Sequence, residues 1–453
     1  MKAIVVGGGP AGLRAAMTLA QHGLEPVLLD EAARPGGQGY RSPAPGIALD
    51  IAALMGSQKS KYERLHRKFE AARDTIDYRE RTSVWAIDGH TLFIERNGHT
   101  NVLTFDSLIV ASGATDRIVP LPGWTVPGVF SLGGAQITLK DQGALIGRRV
   151  AFLGSSPLLA LAAKQYQATG ATVAGVFDTA PFYAKIRAVP HLLHAPHTAL
   201  RGLSYLAQLR MSGVPLHFGI EPVRIEGCDR VETLVLRDRT GREMHIDCDA
   251  VALGYGLKPE TQLAELAGAS FAFDKLFRMW LPVIDADGRA GPDLYLAGDG
   301  AAIGGADAAE ASGTLAALAL LADTGHTVAQ SQIDRLRASI KRLRRFQRGL
   351  ATAFAWPHRD AGALPGETIV CRCENVSAGD IRAALGVGLI PPELNRVKAI
   401  TRCGMGRCQG RMCGPALQEI VAAQSGAPVA TVGRLRTQAP IKPIALSAAE
   451  MPR

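Results

Sequence analysis

Residues 2–23, KAIVVGGGPAGLRAAMTLAQHG, leave the chain little local choice: a buried strand, a glycine turn, then a helix. Gly7, Gly9 and Gly12 make G-x-G-x-x-G. Gly7 permits the tight turn, Gly9 lets a pyrophosphate approach the backbone, and Gly12 lets helix and strand pack closely. Pro10 and Ala11 open the helix, whose free N–H groups offer partial positive charge to phosphates. Eighteen residues past Gly12, the strand EPVLLD ends at Asp30, with Glu31 beside it, placed to accept hydrogen bonds from a ribose diol. A lone glycine fingerprint is weak. With strand, helix and acid in register it predicts a dinucleotide site.

Two distant segments decide between dinucleotides. LIVASGA (108–114), with Ala111, Ser112 and Gly113, is a strand running into small residues, the form that closes a flavoprotein dinucleotide domain. DLYLAGDGA (293–301) looks like a second flavin signature, in which Asp299 meets the ribityl and phosphate region. An NAD domain has no use for such a return segment, so FAD is expected. Gly37 and Gln38, in RPGGQ, belong to a glycine-rich loop of the kind that lies against FAD. Val84 is placed beside the adenine by resemblance to such flavoproteins alone.

RRVAFLGSSPLLALAAKQYQATGATVAGVFD (148–178) repeats the strand–turn–helix–strand pattern and is the internal repeat of the chain. Its fingerprint is damaged. Gly154 stands, but Ser156 and Leu159 replace the second and third glycines, where backbone must touch phosphate and pack on the strand. A retained fold with weakened or lost nicotinamide binding is expected. Residues 1–227 contain no cysteine pair, so a flavin-to-disulfide relay is excluded.

The thiols crowd elsewhere. Cys371 and Cys373 make C-x-C, and TRCGMGRCQGRMC (401–413) adds Cys403, Cys408 and Cys413. Paired thiolate loops can hold zinc or an iron–sulfur cluster. C-x-C is tight for a zinc knuckle and suits two thiolates on one iron, and a one-electron carrier is the more coherent partner for a flavin. In NVSAGDIRAAL, Ser377 and Asp380 predict an N-capped helix whose positive end faces the first pair. Cys228 and Cys248 stand alone and are read as inert small residues.

Net charge is +9, and residues 366–453 hold eleven Lys/Arg against six Asp/Glu. In DRLRASIKRLRRFQRGL, Leu336, Ile340, Leu343 and Phe346 share one helical face among arginines, which predicts a linker helix lying on a neighbouring domain. A docking surface for an acidic partner or anionic lipid is the alternative, which leaves a peripheral membrane contact open. No nucleic-acid reader motif accompanies the charge. No apolar run reaches membrane-span length, and the N-terminus enters a strand directly, so a mature fold starting at residue 1 and a cytoplasmic location are expected.

The region GMGRCQGRMC resembles the GMGPCQG-x-x-C phrase of bacterioferritin-associated-ferredoxin-like 2Fe–2S domains in anaerobic glycerol-3-phosphate dehydrogenases and opine oxidases. GATDRIVPLPGWTVPGVFSLGGAQITLK (113–140) is similar to the alpha subunits of opine oxidases, D-hydroxyproline dehydrogenases and hydrogen cyanide synthase. The resemblance covers nearly the whole chain. Relatives more often carry GSGPLL where this chain has GSSPLL. It implies a 2Fe–2S cluster on Cys371, Cys373, Cys408 and Cys413, with Cys403 spare. It also implies an α/β flavoprotein with two Rossmann-like domains and a small helical iron–sulfur domain. The expected division is 1–145 and 259–330 for FAD, 146–258 for the second domain, 331–365 for the linker helix and 366–453 for the cluster. The implied role is the electron-transfer alpha subunit of an amine dehydrogenase. Substrate oxidation, on an opine, D-amino acid or hydroxyproline, falls to an FAD-containing, amine-oxidase-like beta subunit, with room for a small third subunit. No catalytic acid or base is assigned. Three alternatives stay open: a glycine-oxidising hydrogen cyanide synthase subunit, an NAD(P)H-dependent flavin reductase, and an assembly subunit whose FAD is structural.

Overall fold

The computed structural model describes residues 1–386 and 391–444; Glu450 and Arg453, counted in the C-terminal charge, lie outside them. The all-apolar strand Ala3–Val6 is buried on both faces and forms the centre of a six-stranded sheet. The order across that sheet is Arg289–Gly291, Leu294–Leu296, Ser107–Val110, Ala3–Val6, Val27–Leu29, Asp77–Arg79, parallel except at the 289–291 edge. The return segment thus completes the first sheet. Helix Pro10–Gln21 packs against helix Ala306–Asp323 so closely that a Cβ on Gly313 would lie 2.0 Å from the Ala11 carbonyl oxygen.

The repeat builds a second sheet, all parallel, in the order Leu216–Phe218, Thr172–Asp178, Arg149–Gly154, Ala250–Gly254, Val129–Ser131. Its last strand differs from the expected division. Val129–Ser131 and the helix Leu132–Gln142 lie in the stretch assigned to the first domain, yet they pair and pack with the second. The strand is three residues long and follows a Pro/Gly turn, too short for any periodic signal. The two domains are joined by an antiparallel ribbon of Ala114–Asp116 with Leu257–Pro259.

Helix Gln330–Ala353 buries Ile333, Ile340 and Phe346, as its spacing predicts, and leaves most of its basic residues outward. The C-terminal unit is a small ribbon, Ile369–Cys371 with Val376–Ser377, and the helices Ala378–Leu385, Leu394–Thr401 and Gly414–Ser425. Ser377 and Asp380 form the expected reciprocal cap. Val370, Ile381, Val397, Leu417 and Ile420 fill its core. The chain then runs back to the first domain, where Ile441 is buried and its N–H bonds the Trp85 carbonyl. No described helix is long and apolar enough to cross a membrane.

Candidate cofactor sites and their connection

At the first site five segments meet. The Gly7 turn lies so close to Ala111 that a Cβ would come 2.3 Å from its carbonyl oxygen, and a Cβ on Gly12 would lie 1.8 Å from the Gly7 carbonyl. Both glycines are required by packing. Gly9 differs: a Cβ there would meet only the Gly37 Cα, at 3.8 Å, because Gly9 and Gly37 face each other across a slit with no side chain on either wall. That bare slit, at the start of the Pro10 helix, fits a phosphate chain and has no packing purpose.

Asp30 follows its strand, and one carboxylate oxygen accepts from the Ala32 N–H at 3.2 Å. The other is buried without a partner, an orphan acceptor that a ribose hydroxyl would satisfy. Burial pushes the Asp30 carboxyl up to about 6. Glu31 is exposed and pairs with Lys442 of the C-terminal segment. Val84 sits on a strand whose first residue, Thr82, donates its N–H to the Asp30 carbonyl, and its own side chain points into the core. Gln38 is exposed at the loop rim.

Asp299 accepts from the N–H groups of Gly304 and Gly305 at 2.7 and 3.0 Å, while its burial raises its carboxyl above the ordinary range. It borders a cavity of about 170 Å³ lined also by Ile303, Leu257, Ser156, Phe354 and Trp356. On the far side lies the altered second fingerprint. Ser155 and Ser156 are buried, and the Ser155 hydroxyl donates to the Ala355 carbonyl at 3.3 Å. The end of the linker helix is therefore seated on that turn. Trp356 is in turn stacked under the buried guanidinium of Arg117, 4.0 Å from its ring centre.

The cysteines converge. The sulfurs of Cys371, Cys403 and Cys413 lie within 4.8 Å of one another, all buried. The Cys408 thiol is hydrogen-bonded with those of Cys413 and Cys373, so all five thiols form one group. Cys403, set aside on sequence grounds, lies inside it. Hydrogen bonds from Cys403 and Cys413 hold the Cys371 thiol far below the usual thiol range, and one from Cys413 lowers Cys408. A Cβ on Gly406 would lie 2.3 Å from the Cys373 Cβ, so a glycine there lets the two loops close. Four or more convergent thiols, no competing carboxylate ligand and backbone N–H groups around them fit an iron–sulfur cluster. Cys248, by contrast, is a solitary buried thiol pushed up to about 12.

A connection that sequence spacing did not announce joins the sites. The Ser112 hydroxyl donates to the Glu260 carbonyl at 2.6 Å, and the Glu260 N–H donates to the Gly113 carbonyl at 2.9 Å. The Glu260 carboxylate takes Arg411 in a two-pronged contact at 2.6 and 3.2 Å, and Arg411 lies between Cys408 and Cys413. Gln262 donates to the Gln409 carbonyl at 2.8 Å in the same loop. The cradle of the first site and the cysteine loop are thus fastened to one short segment, 260–262. Glu260 and Gln262 belong to no motif, and no signal in the sequence marks them.

Residues 1–314 match the family model for pyridine nucleotide-disulphide oxidoreductases, and residues 369–423 match the BFD-like [2Fe-2S] binding domain. The first of the two opine oxidase subunits, from Rhizobium meliloti, is 36% identical over 98% of this chain and 86% of its own length. Hydrogen cyanide synthase subunit HcnB of Pseudomonas aeruginosa is 35% identical over 99% and 98%. Among solved structures, L-proline dehydrogenase from P. horikoshii superposes with a TM-score of 0.72 over 99% of this chain and 79% of its own, at 20% identity, a likeness of fold. The cradle and the thiol group fit the FAD and 2Fe–2S cluster that these two domains imply. The chain belongs to the pyridine nucleotide-disulphide oxidoreductases, as a flavoprotein with a C-terminal 2Fe–2S domain, in the group that includes these opine oxidase and hydrogen cyanide synthase subunits.

Proposed function

We propose that this chain is the electron-transfer subunit of a heteromeric dehydrogenase that oxidises an opine, a D-amino acid or hydroxyproline to an imine or keto acid, with the substrate site on a partner subunit carrying its own FAD. The observation that carries the reading is the shared anchorage of the two cofactor sites on residues 260–262, through Ser112, Gly113, Gln409 and Arg411. When bound, FAD supplies two-electron chemistry and the cluster one-electron chemistry. The protein's part is to hold them. Gly9 and Gly37 leave room for the pyrophosphate, Asp30 receives the ribose, and Asp299 with Ser112 and Gly113 frames the flavin end. Cys371, Cys373, Cys408 and Cys413 are the proposed cluster ligands, and Arg411 fixes their loop against the flavin domain.

The seating of Ala355 and Trp356 against the second fingerprint supports an electron source other than a nicotinamide. The names of the two relatives, each one component of a larger enzyme, support a partner. The described site has no acid–base constellation of its own for amine oxidation. The test is dye-linked dehydrogenase activity with a panel of opines, D-amino acids, hydroxyproline and glycine. The chain alone should be inactive, and co-expression with its amine-oxidase-like partner should restore turnover. Amine oxidation by the chain alone at the rate of the complex would overturn the reading.

A further inference from the structure

Between the second and third strands of the repeat domain lie two helices, Phe182–Leu192 and Pro196–Met211. The first turns Ala184 and Ala188 inward. Phe182, Ile186, Val189 and Leu193 point outward and are 48–67% exposed, with Tyr183 exposed at their border. Their 4-3-4 spacing is the narrow seam with which one helix packs on another. The second helix buries Leu209 and shows Leu200, Leu203, Ala207 and Met211 to solvent, again on one face. Monomers rarely leave more than a few hundred Å² of apolar surface together, so eight large exposed side chains on consecutive helices call for a cover.

The charge around these helices has one sign. Residues 179–219 contain four Lys/Arg and four His and no Asp or Glu. The linker helix packs on the first of them, with Gly349 so close that a Cβ would lie 2.8 Å from the His191 Cβ. That helix exposes Lys341, Arg342, Arg345 and Arg348, none with an ion-pair partner among the described residues. A second copy of this chain would bring like charges together. The surface asks for apolar side chains at helical spacing with acidic residues beside them.

We infer that the outward face of these two helices docks a helix of the partner subunit, one with an apolar stripe flanked by Asp or Glu. The inference rests on the proposed reading of this chain as one component of a complex. The exposed positions can be changed without touching the cofactor sites. Ile186→Glu with Leu193→Glu places two carboxylates on the seam, and retention of flavin and cluster absorbance verifies the fold. Wild-type and variant chains are each co-expressed with the amine-oxidase-like partner. They are compared by co-elution and by titration of the purified components.

The expected result is co-elution of the wild type and weakening of at least about 100-fold in the variant. Arg345→Glu with Arg348→Glu should slow association and flatten its salt dependence. Failure of the wild type to co-elute would sink the electron-transfer reading itself. Equal binding by both chains would leave that reading intact and overturn the docking surface. Two further measurements on the chain alone decide against a protein partner at this face. One is flotation with phosphatidylglycerol vesicles, the other self-association, and either, if abolished by the same substitutions, overturns the proposal.

Discussion

Arg411→Met gives the sharpest test of how the cluster loop is held. The Arg411 guanidinium reaches both oxygens of Glu260, and the two side chains are 14% and 11% exposed. A third arm bonds the Ile441 carbonyl at 2.8 Å. Removing the cation leaves a buried carboxylate with only a long 3.3 Å contact from the Gln262 N–H. Breaking one side of such a pair costs about 3–5 kcal/mol, and the carbonyl bond adds about 1 kcal/mol. Replacing both partners, Arg411→Met with Glu260→Gln, removes the stranded charge, so most of the loss should return. The coupling between the two sites should be about 2 kcal/mol or more. The assay is urea unfolding of the four chains of the cycle, followed by cluster absorbance and by flavin fluorescence, because the domains need not unfold together. The single variant should lose its cluster signal first. A cost below about 1 kcal/mol, or strictly additive effects, would show that the contact is a solvated surface pair and refute the anchorage argument.

Gly9→Val should abolish FAD retention while the apo-chain folds, because the space beside Gly9 is bare; Gly12→Ala should instead impair folding, since its Cβ would overlap the Gly7 carbonyl. Equal soluble yield and equal FAD content in the two variants would contradict this. Asp30 gives a pH dependence. Burial favours its protonated form in the apo-protein, so its contribution to stability is present at low pH and is lost as pH rises through about 6. Ribose hydroxyls favour the carboxylate, so FAD affinity measured by fluorescence should rise between about pH 5 and 7, and Asp30→Asn should flatten the rise. Anaerobically purified protein should hold about two irons and two sulfides per chain; serine at Cys371, Cys373, Cys408 or Cys413 should remove them, whereas Cys403→Ser should spare them. Stoichiometric zinc without sulfide would contradict the assignment.

The sequence was most legible where backbone geometry dictates residue type. The first glycine turn needs Gly7 and Gly12 because the neighbouring carbonyls leave no room for a Cβ, and the cap at Ser377 needs its partner three residues on. The linker helix showed its inward face by spacing alone. What stayed hidden depends on distant encounters. The three-residue strand Val129–Ser131 is too short to have a period, so its membership in the second sheet emerges only from pairing. Glu260 resembles any surface acid until Arg411 arrives from 151 residues away. Cys403 looked supernumerary by spacing, and folding places it against Cys371 and Cys413. The return of Ile441 and Lys442 to the first domain left no local signature either.

The central claim is that this chain passes electrons it does not extract. Anaerobic addition of an amine substrate, with the visible flavin absorbance and the paramagnetic signal of the reduced cluster recorded together, tests it most directly. In the complex with the partner subunit, substrate should bleach flavin and bring up the cluster signal. In the isolated chain the same substrate should leave both unchanged, although a chemical reductant still elicits them. Reduction of the isolated chain's flavin by substrate would contradict the account.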